Sequence, residues 1–165
     1  MRASGSTKDS PPPQVEVVIE IPRWSFLKRG STGRVDFISP LPCPYNYGSI
    51  HAYIGGEGDY LDAIVLGPRL PLGAVVTVSA WGSVGMSERN MYDDKLICAS
   101  TAVSPLQRDR ILRFFHAYAR CKGLLNRVRG FPGGARCEGW DEAGAAIARA
   151  VPVAGYLAPR PTVGF

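Results

Sequence analysis

The chain has 165 residues, 45% hydrophobic and 20% charged, with 19 Lys/Arg against 14 Asp/Glu and a formal net charge of +5. That size and balance suit one soluble globular domain with a substantial core. No run of about 18 apolar residues is present to form a membrane-spanning helix. Four cysteines without a CxxC pair, beside only two histidines, argue against a zinc cage.

Residues 1–13, MRASGSTKDSPPP, lack the apolar run of an export signal and read as a disordered tail. The cysteines are therefore expected as reduced thiols in the cytoplasm. One domain is expected over residues 14–151. In QVEVVIEIP, Val15, Val17, Ile19 and Ile21 alternate with Glu16 and Glu20, which predicts a half-buried strand ended by Pro22. Val35 to Ile38 reads as a short strand. Pro40 to Gly48 holds too many prolines for a regular element and reads as an ordered loop. Leu61 to Leu66, Val75 to Val84 and Lys95 to Thr101 read as further strands. Short strands between Gly/Pro turns predict a small closed or nearly closed barrel.

The pattern then turns helical. Ser104, Pro105 and Gln107 form a start signal; Ile111, Phe114, Phe115 and Tyr118 follow at helical spacing, and Gly123 reads as the stop. Gly130 to Arg136 reads as a glycine-rich loop. A second helix is expected from Asp141 through Ile147 to about Val151, and residues 152–165 as an irregular tail.

Two acidic groups stand out in this basic chain. EGDYLD places Glu57, Asp59 and Asp62 within six residues, and SERNMYDDK adds Glu88, Asp93 and Asp94 beside Lys95. Crowded carboxylates repel, and all-oxygen donors suit a hard cation such as Mg²⁺. A polar turn built on Gly55, Gly56 and Gly58 is the competing reading. Between Arg108 and Arg136 stand eight Lys/Arg and one acid, Asp109. That field suits nucleic acid, a membrane surface or a small polyanion, or simply a solvated helix face.

Taken in order, IEIP, a lysine, PYNYG, GEGDYLDAIVL, DDKL, FFHAY and EGW resemble the family I soluble inorganic pyrophosphatases, from Val15 to Trp140. The resemblance implies a mainly β fold, a five-stranded OB-like barrel with flanking helices, and Mg²⁺-dependent hydrolysis of pyrophosphate by a cytoplasmic homo-oligomer. It implies Asp59 as general base, and Glu57, Asp62, Glu88 and Asp93 as metal ligands. Glu20 would join the metal set by holding water on the ion. Lys28, Tyr47, Lys95 and Tyr118 would bind substrate.

The chain departs from the family pattern in several places. Glutamate replaces aspartate at Glu57 and Glu88, Tyr60 replaces a proline, and Cys43 stands where an aromatic is expected. Gly30, Phe37 and Ala119 occupy positions of charged residues, so the acidic set matches better than the phosphate shell. Arg29, Arg34 or Lys122 could restore the lost charge. Two alternatives follow: a catalytically degenerate scaffold subunit, and an OB-like nucleic-acid-binding module using the basic C-terminal half. Cys43 is open between a reactive thiol at the pocket mouth and a buried inert one.

Overall fold

The computed structural model describes residues 10–25, 27–29, 35–38, 41–88, 90–131 and 133–165, with residues 27–29 and 35–38 as backbone. Five long strands form a ring: β1 (Gln14–Ile21), β4 (Asn46–Ile54), β5 (Tyr60–Val65), β7 (Met91–Ala99) and β6 (Val75–Glu88). β1 pairs with both β4 and β6, so the ring closes and leaves no open edge among its five members. All ring pairings are antiparallel except β5 with β7, which run parallel. This is the OB-like five-stranded barrel that the sequence pattern and the resemblance together led us to expect.

Alternation builds the interior. Val15, Val17 and Ile19 meet Ile50, Leu61, Ala63, Val65, Val76, Val78, Leu96 and Cys98, drawn from all five strands. A second cluster covers the outside of the wall, where Ile64, Val84 and Ile97 pack under Ile111 and Phe115 of α1 (Pro105–Val128). Burying each such side chain contributes roughly 1.5–3 kcal/mol, so the two clusters fix which face of every strand is which.

The capping box forms as expected: Gln107 N–H donates to Ser104 Oγ at 3.2 Å, and Ser104 N–H donates to Gln107 Oε1 at 2.9 Å. The helix does not stop at Gly123. It runs to Val128 and ends before Gly130, whose φ of 74° is the left-handed conformation that closes helices. Residues 135–141, partly expected as loop, form β8 (Ala135–Asp141) against β6, and α2 (Ala143–Arg149) begins after it. The predicted loop also ends early, since β4 starts at Asn46. β2 (Leu27–Arg29) and β3 (Val35–Ile38) pair in a separate two-stranded sheet.

The C-terminal stretch lacks long elements but is tied down. β9 (Val151–Pro152) pairs with Tyr53 and Ile54, and Thr162 exchanges two hydrogen bonds with Val75. Residues 1–9 of the expected tail lie outside the described residues, while the Pro13 carbonyl already accepts from Ala80 N–H at 2.8 Å. No described helix is long and apolar enough to cross a membrane.

Candidate active site

The alternation that buries Ile50, Leu61 and Leu96 turns Ser49, Asp62 and Lys95 to the outside of the barrel. The pairing places these three in one row across β4, β5 and β7, Ser49 opposite Asp62 and Asp62 beside Lys95. Tyr47 lies two residues before Ser49 on the same face of β4, and Asp93 two residues before Lys95 on β7.

Lys95 is the centre of this row. Its Nζ donates to Asp62 Oδ2 at 2.7 Å, to Asp93 Oδ2 at 2.9 Å and to Tyr47 Oη at 3.0 Å, using all three ammonium protons. Only 4% of the residue is exposed. Burial alone would lower its pKa, but Asp62 and Asp93 more than reverse that and hold it charged well above the ordinary lysine range. Burial, then the Asp62 charge, keeps the Tyr47 phenol protonated well above its usual range. Burial also pushes Asp93 upward, against the pull of Lys95.

Helix α1 supplies the flank. Burial raises the Tyr118 phenol, opposed by Lys95 and Lys122, and the Lys122 ammonium lies 6.0 Å from the Tyr118 ring centroid. Lys122 pairs with Glu88 Oε2 at 2.5 Å, and Asn126 Nδ2 donates to Glu88 Oε1 at 2.9 Å. Both Glu88 oxygens are thus engaged by α1, one turn and two turns beyond Tyr118. The extra methylene of glutamate gives the carboxylate that reach.

Glu57 and Asp59 sit exposed on the β4–β5 turn. That turn is closed by Gly55 N–H to Asp59 O at 2.8 Å and by Gly58 at a φ of 88°. Partial burial, then the Asp93 charge, raises the Glu57 carboxyl, while Lys95 and Lys122 pull it down. Glu20 Oε1 accepts from Ser49 Oγ at 2.8 Å. Lys28 lies in β2; its side chain, Gly30 and the side chain of Phe37 fall outside the described residues. Cys43 is buried and its thiol is pushed up to about 11 by that burial, the environment of an inert thiol. All four cysteines are free. Asp94 belongs to the opposite face, where it is paired with Arg149 of α2.

Several contributors were not singled out from sequence. Ser49 and His51 share the outer face with Tyr47, and the alternation in NYGSIHAYI was their available signal. Asn46, fully buried, accepts from Arg23 N–H and Leu70 N–H and donates to Val65 O and Pro68 O, so it staples three chain segments behind the site. Nothing local in the sequence marks it.

The donors fit a hard cation in chemistry. Asp62 and Asp93 converge on one ammonium, and Mg²⁺ commonly uses one or two carboxylates with waters and phosphate oxygens completing the shell. Among the described residues no three His, Cys, Asp or Glu side chains are grouped to hold one ion.

With this geometry in place, comparison with known proteins is decisive for ancestry. The family model for inorganic pyrophosphatase matches residues 17–138. The inorganic pyrophosphatase of Rickettsia bellii is 27% identical over 156 residues, covering 79% of this chain and 89% of the relative. That of Corynebacterium glutamicum is 32% identical over 123 residues, covering 63% and 78%. The crystal structure of inorganic pyrophosphatase from Thermus thermophilus superposes with a TM-score of 0.67 at 24% identity, over 90% of this chain and 91% of that one, and so shares the fold. The chain belongs to the inorganic pyrophosphatase family.

Proposed function

We propose that this protein hydrolyses inorganic pyrophosphate to two phosphates with Mg²⁺ as cofactor. The observation that carries this reading is the buried Lys95 ammonium shared by Asp62, Asp93 and Tyr47 on the outer barrel face of a pyrophosphatase-family chain. Bound Mg²⁺ would neutralise substrate charge and acidify the attacking water. Asp62 and Asp93 would hold it, with Glu57, Glu88 and Glu20 as further members of the metal set.

The remaining roles belong to this chain's own side chains. Asp59, on the exposed turn, takes the proton of the attacking water as general base. Lys95, Tyr47 and Tyr118 would offer donors to phosphate oxygens as charge develops on the leaving group, with Lys95 and Tyr47 released as Mg²⁺ takes over Asp62 and Asp93; burial keeps both phenols protonated. Lys28 is assigned to substrate with them. Release of two phosphates in the cytoplasm by a homo-oligomer completes the reading.

One observation favours a second reading, a non-catalytic scaffold: both Glu88 oxygens are engaged by α1. The nucleic-acid alternative lacks comparable support, because Phe114, Phe115 and Tyr118 pack on one another instead of lining a groove. Phosphate release from pyrophosphate, with and without Mg²⁺, tests the proposal. Release is expected only with the metal, and Asp59→Asn is expected to reduce it by roughly 10²–10⁴-fold without changing the unfolding midpoint. A wild-type protein that releases no phosphate would support the scaffold.

A further inference from the structure

From Ser49, at the end of the Lys95 row, a second polar chain draws on three strands. Ser49 Oγ donates to Glu20 Oε1 at 2.8 Å and lies 3.1 Å from His51 Nε2. The imidazole lies flat against the Tyr60 ring, with centroids 4.2 Å apart and planes inclined by 20°. Glu20 comes from β1, Ser49 and His51 from β4, and Tyr60 from β5.

The direction of these bonds follows from counting protons. Ser49 gives its single hydroxyl proton to Glu20 Oε1, so its contact with His51 is a hydrogen bond when the imidazole is the Nε2–H tautomer and donates. Ser49 is 3% exposed, so bulk water does not offer its hydroxyl another orientation. This is not a nucleophile triad, in which the acid would orient the far nitrogen of the imidazole. Here the acid sits on the hydroxyl itself, and the serine oxygen is locked as donor and acceptor at once. A hydroxyl locked in this way fixes which oxygen of Glu20 it engages and how that carboxylate is rotated.

We propose that His51 is a positioning residue for Glu20: through Ser49 it sets the orientation in which that carboxylate holds water on Mg²⁺, with Tyr60 pinning the imidazole. The inference rests on the pyrophosphatase reading, in which Glu20 belongs to the metal set. It also gives Tyr60, a departure from the family's proline, a task. Partners that orient metal ligands commonly govern metal affinity by about 10–100-fold; Ser49 and His51 act one and two hydrogen bonds beyond Glu20, so the low end of that range is expected.

The test compares His51→Ala, His51→Gln and Ser49→Ala in the full chain, with Mg²⁺ titrated calorimetrically without substrate and phosphate release measured separately. His51→Ala and Ser49→Ala are expected to weaken Mg²⁺ binding about tenfold. His51→Gln, whose amide nitrogen can donate from nearly the same point, is expected to recover most of the loss. Wild-type Mg²⁺ affinity in His51→Ala, or a His51→Gln protein as impaired as the alanine variant, overturns the proposal. Should His51→Ala fail to fold, Ser49→Ala with wild-type Mg²⁺ affinity does the same. Those results in a protein that still hydrolyses pyrophosphate leave the enzymatic reading intact. A wild-type protein that neither binds Mg²⁺ nor releases phosphate removes both.

Discussion

β7 carries two adjacent carboxylates that point opposite ways, and each shares a cation with a second aspartate. Asp93 and Asp62 flank Lys95 on the outer face, with 5% of the lysine side chain exposed. Asp94 and Asp141 flank Arg149 on the other side, with 42% of the arginine side chain exposed. Each cluster is two aspartates and one cation, but the chemistry differs. A lysine ammonium is a compact point charge that neighbouring oxygens can trade for another cation, whereas a guanidinium is a planar fork. Arg149 uses that fork on Asp94, with Nε at 2.9 Å and Nη2 at 3.2 Å, and lies over the Tyr92 ring at 5.8 Å. One cluster is arranged for exchange, the other for fastening α2 to the barrel.

The sharpest way to break this contrast is to remove each cation in turn. Lys95→Ala leaves two largely buried carboxylates facing each other, and breaking a buried pair costs about 3–5 kcal/mol. Denaturant unfolding without metal should show that loss, and added Mg²⁺ should restore part of it. Hydrolysis should fall by at least about 10²-fold, the usual worth of one preorganised donor. If Mg²⁺ restores nothing, the exchange interpretation of the Lys95 cluster fails.

Arg149→Ala should cost less, about 1–3 kcal/mol, because the guanidinium is partly solvated although the Asp94 it leaves unpaired is buried. Hydrolysis should be unchanged, since the residue faces away from the row. The acid limb sharpens the test. Its backbone bond from Glu142, then Arg149, holds the Asp141 carboxyl below the ordinary 3.8. A depressed carboxylate adds stability that is full above its unfolded value and lost as pH falls through the lower folded value. The stability gap between wild type and Arg149→Ala should therefore narrow as pH drops below 3.8. A gap that widens there would contradict the ion pair.

The smallest effect is expected where basic residues have no carboxylate partner among the described residues. Arg127 and Arg129 lie exposed at the end of α1, and the double alanine variant should stay within about 0.5 kcal/mol of wild type, with phosphate release unaltered. Steeply salt-dependent, submicromolar oligonucleotide binding that the double variant abolishes would reassign that face.

The elements most legible in sequence were those in which local pattern and final burial agree. β1 alternates cleanly, and its apolar residues form the barrel interior; the start of α1 carries its own cap. β4 was hidden because tertiary contacts, and not local pattern, justify its residues. Asn46 is polar yet buried, and Gly48 is required because a Cβ there would lie 2.3 Å from the Val18 carbonyl oxygen. β8 was hidden by Gly133 and Gly134 just before it and by Gly139 within it, which adopts a φ of 105°. For the candidate site, the acidic motifs mark the β4–β5 turn and β7. Only the pleat separates Asp93 from Asp94, and only the cross-strand register brings Ser49 into the row.

The parallel pairing of β5 with β7 also has a consequence for biosynthesis. Asp62 precedes its counter-ion Lys95 by 33 positions, so a ribosome emits the acidic strand well before the strand that neutralises it. Until β7 arrives, β5 exposes an unpaired edge with Ile64 and Val65 on it, the kind of surface that nascent chains aggregate through. The charge of Asp62 at the head of that edge would then act as a gatekeeper, repelling a second copy during the interval in which the nascent chain is most vulnerable.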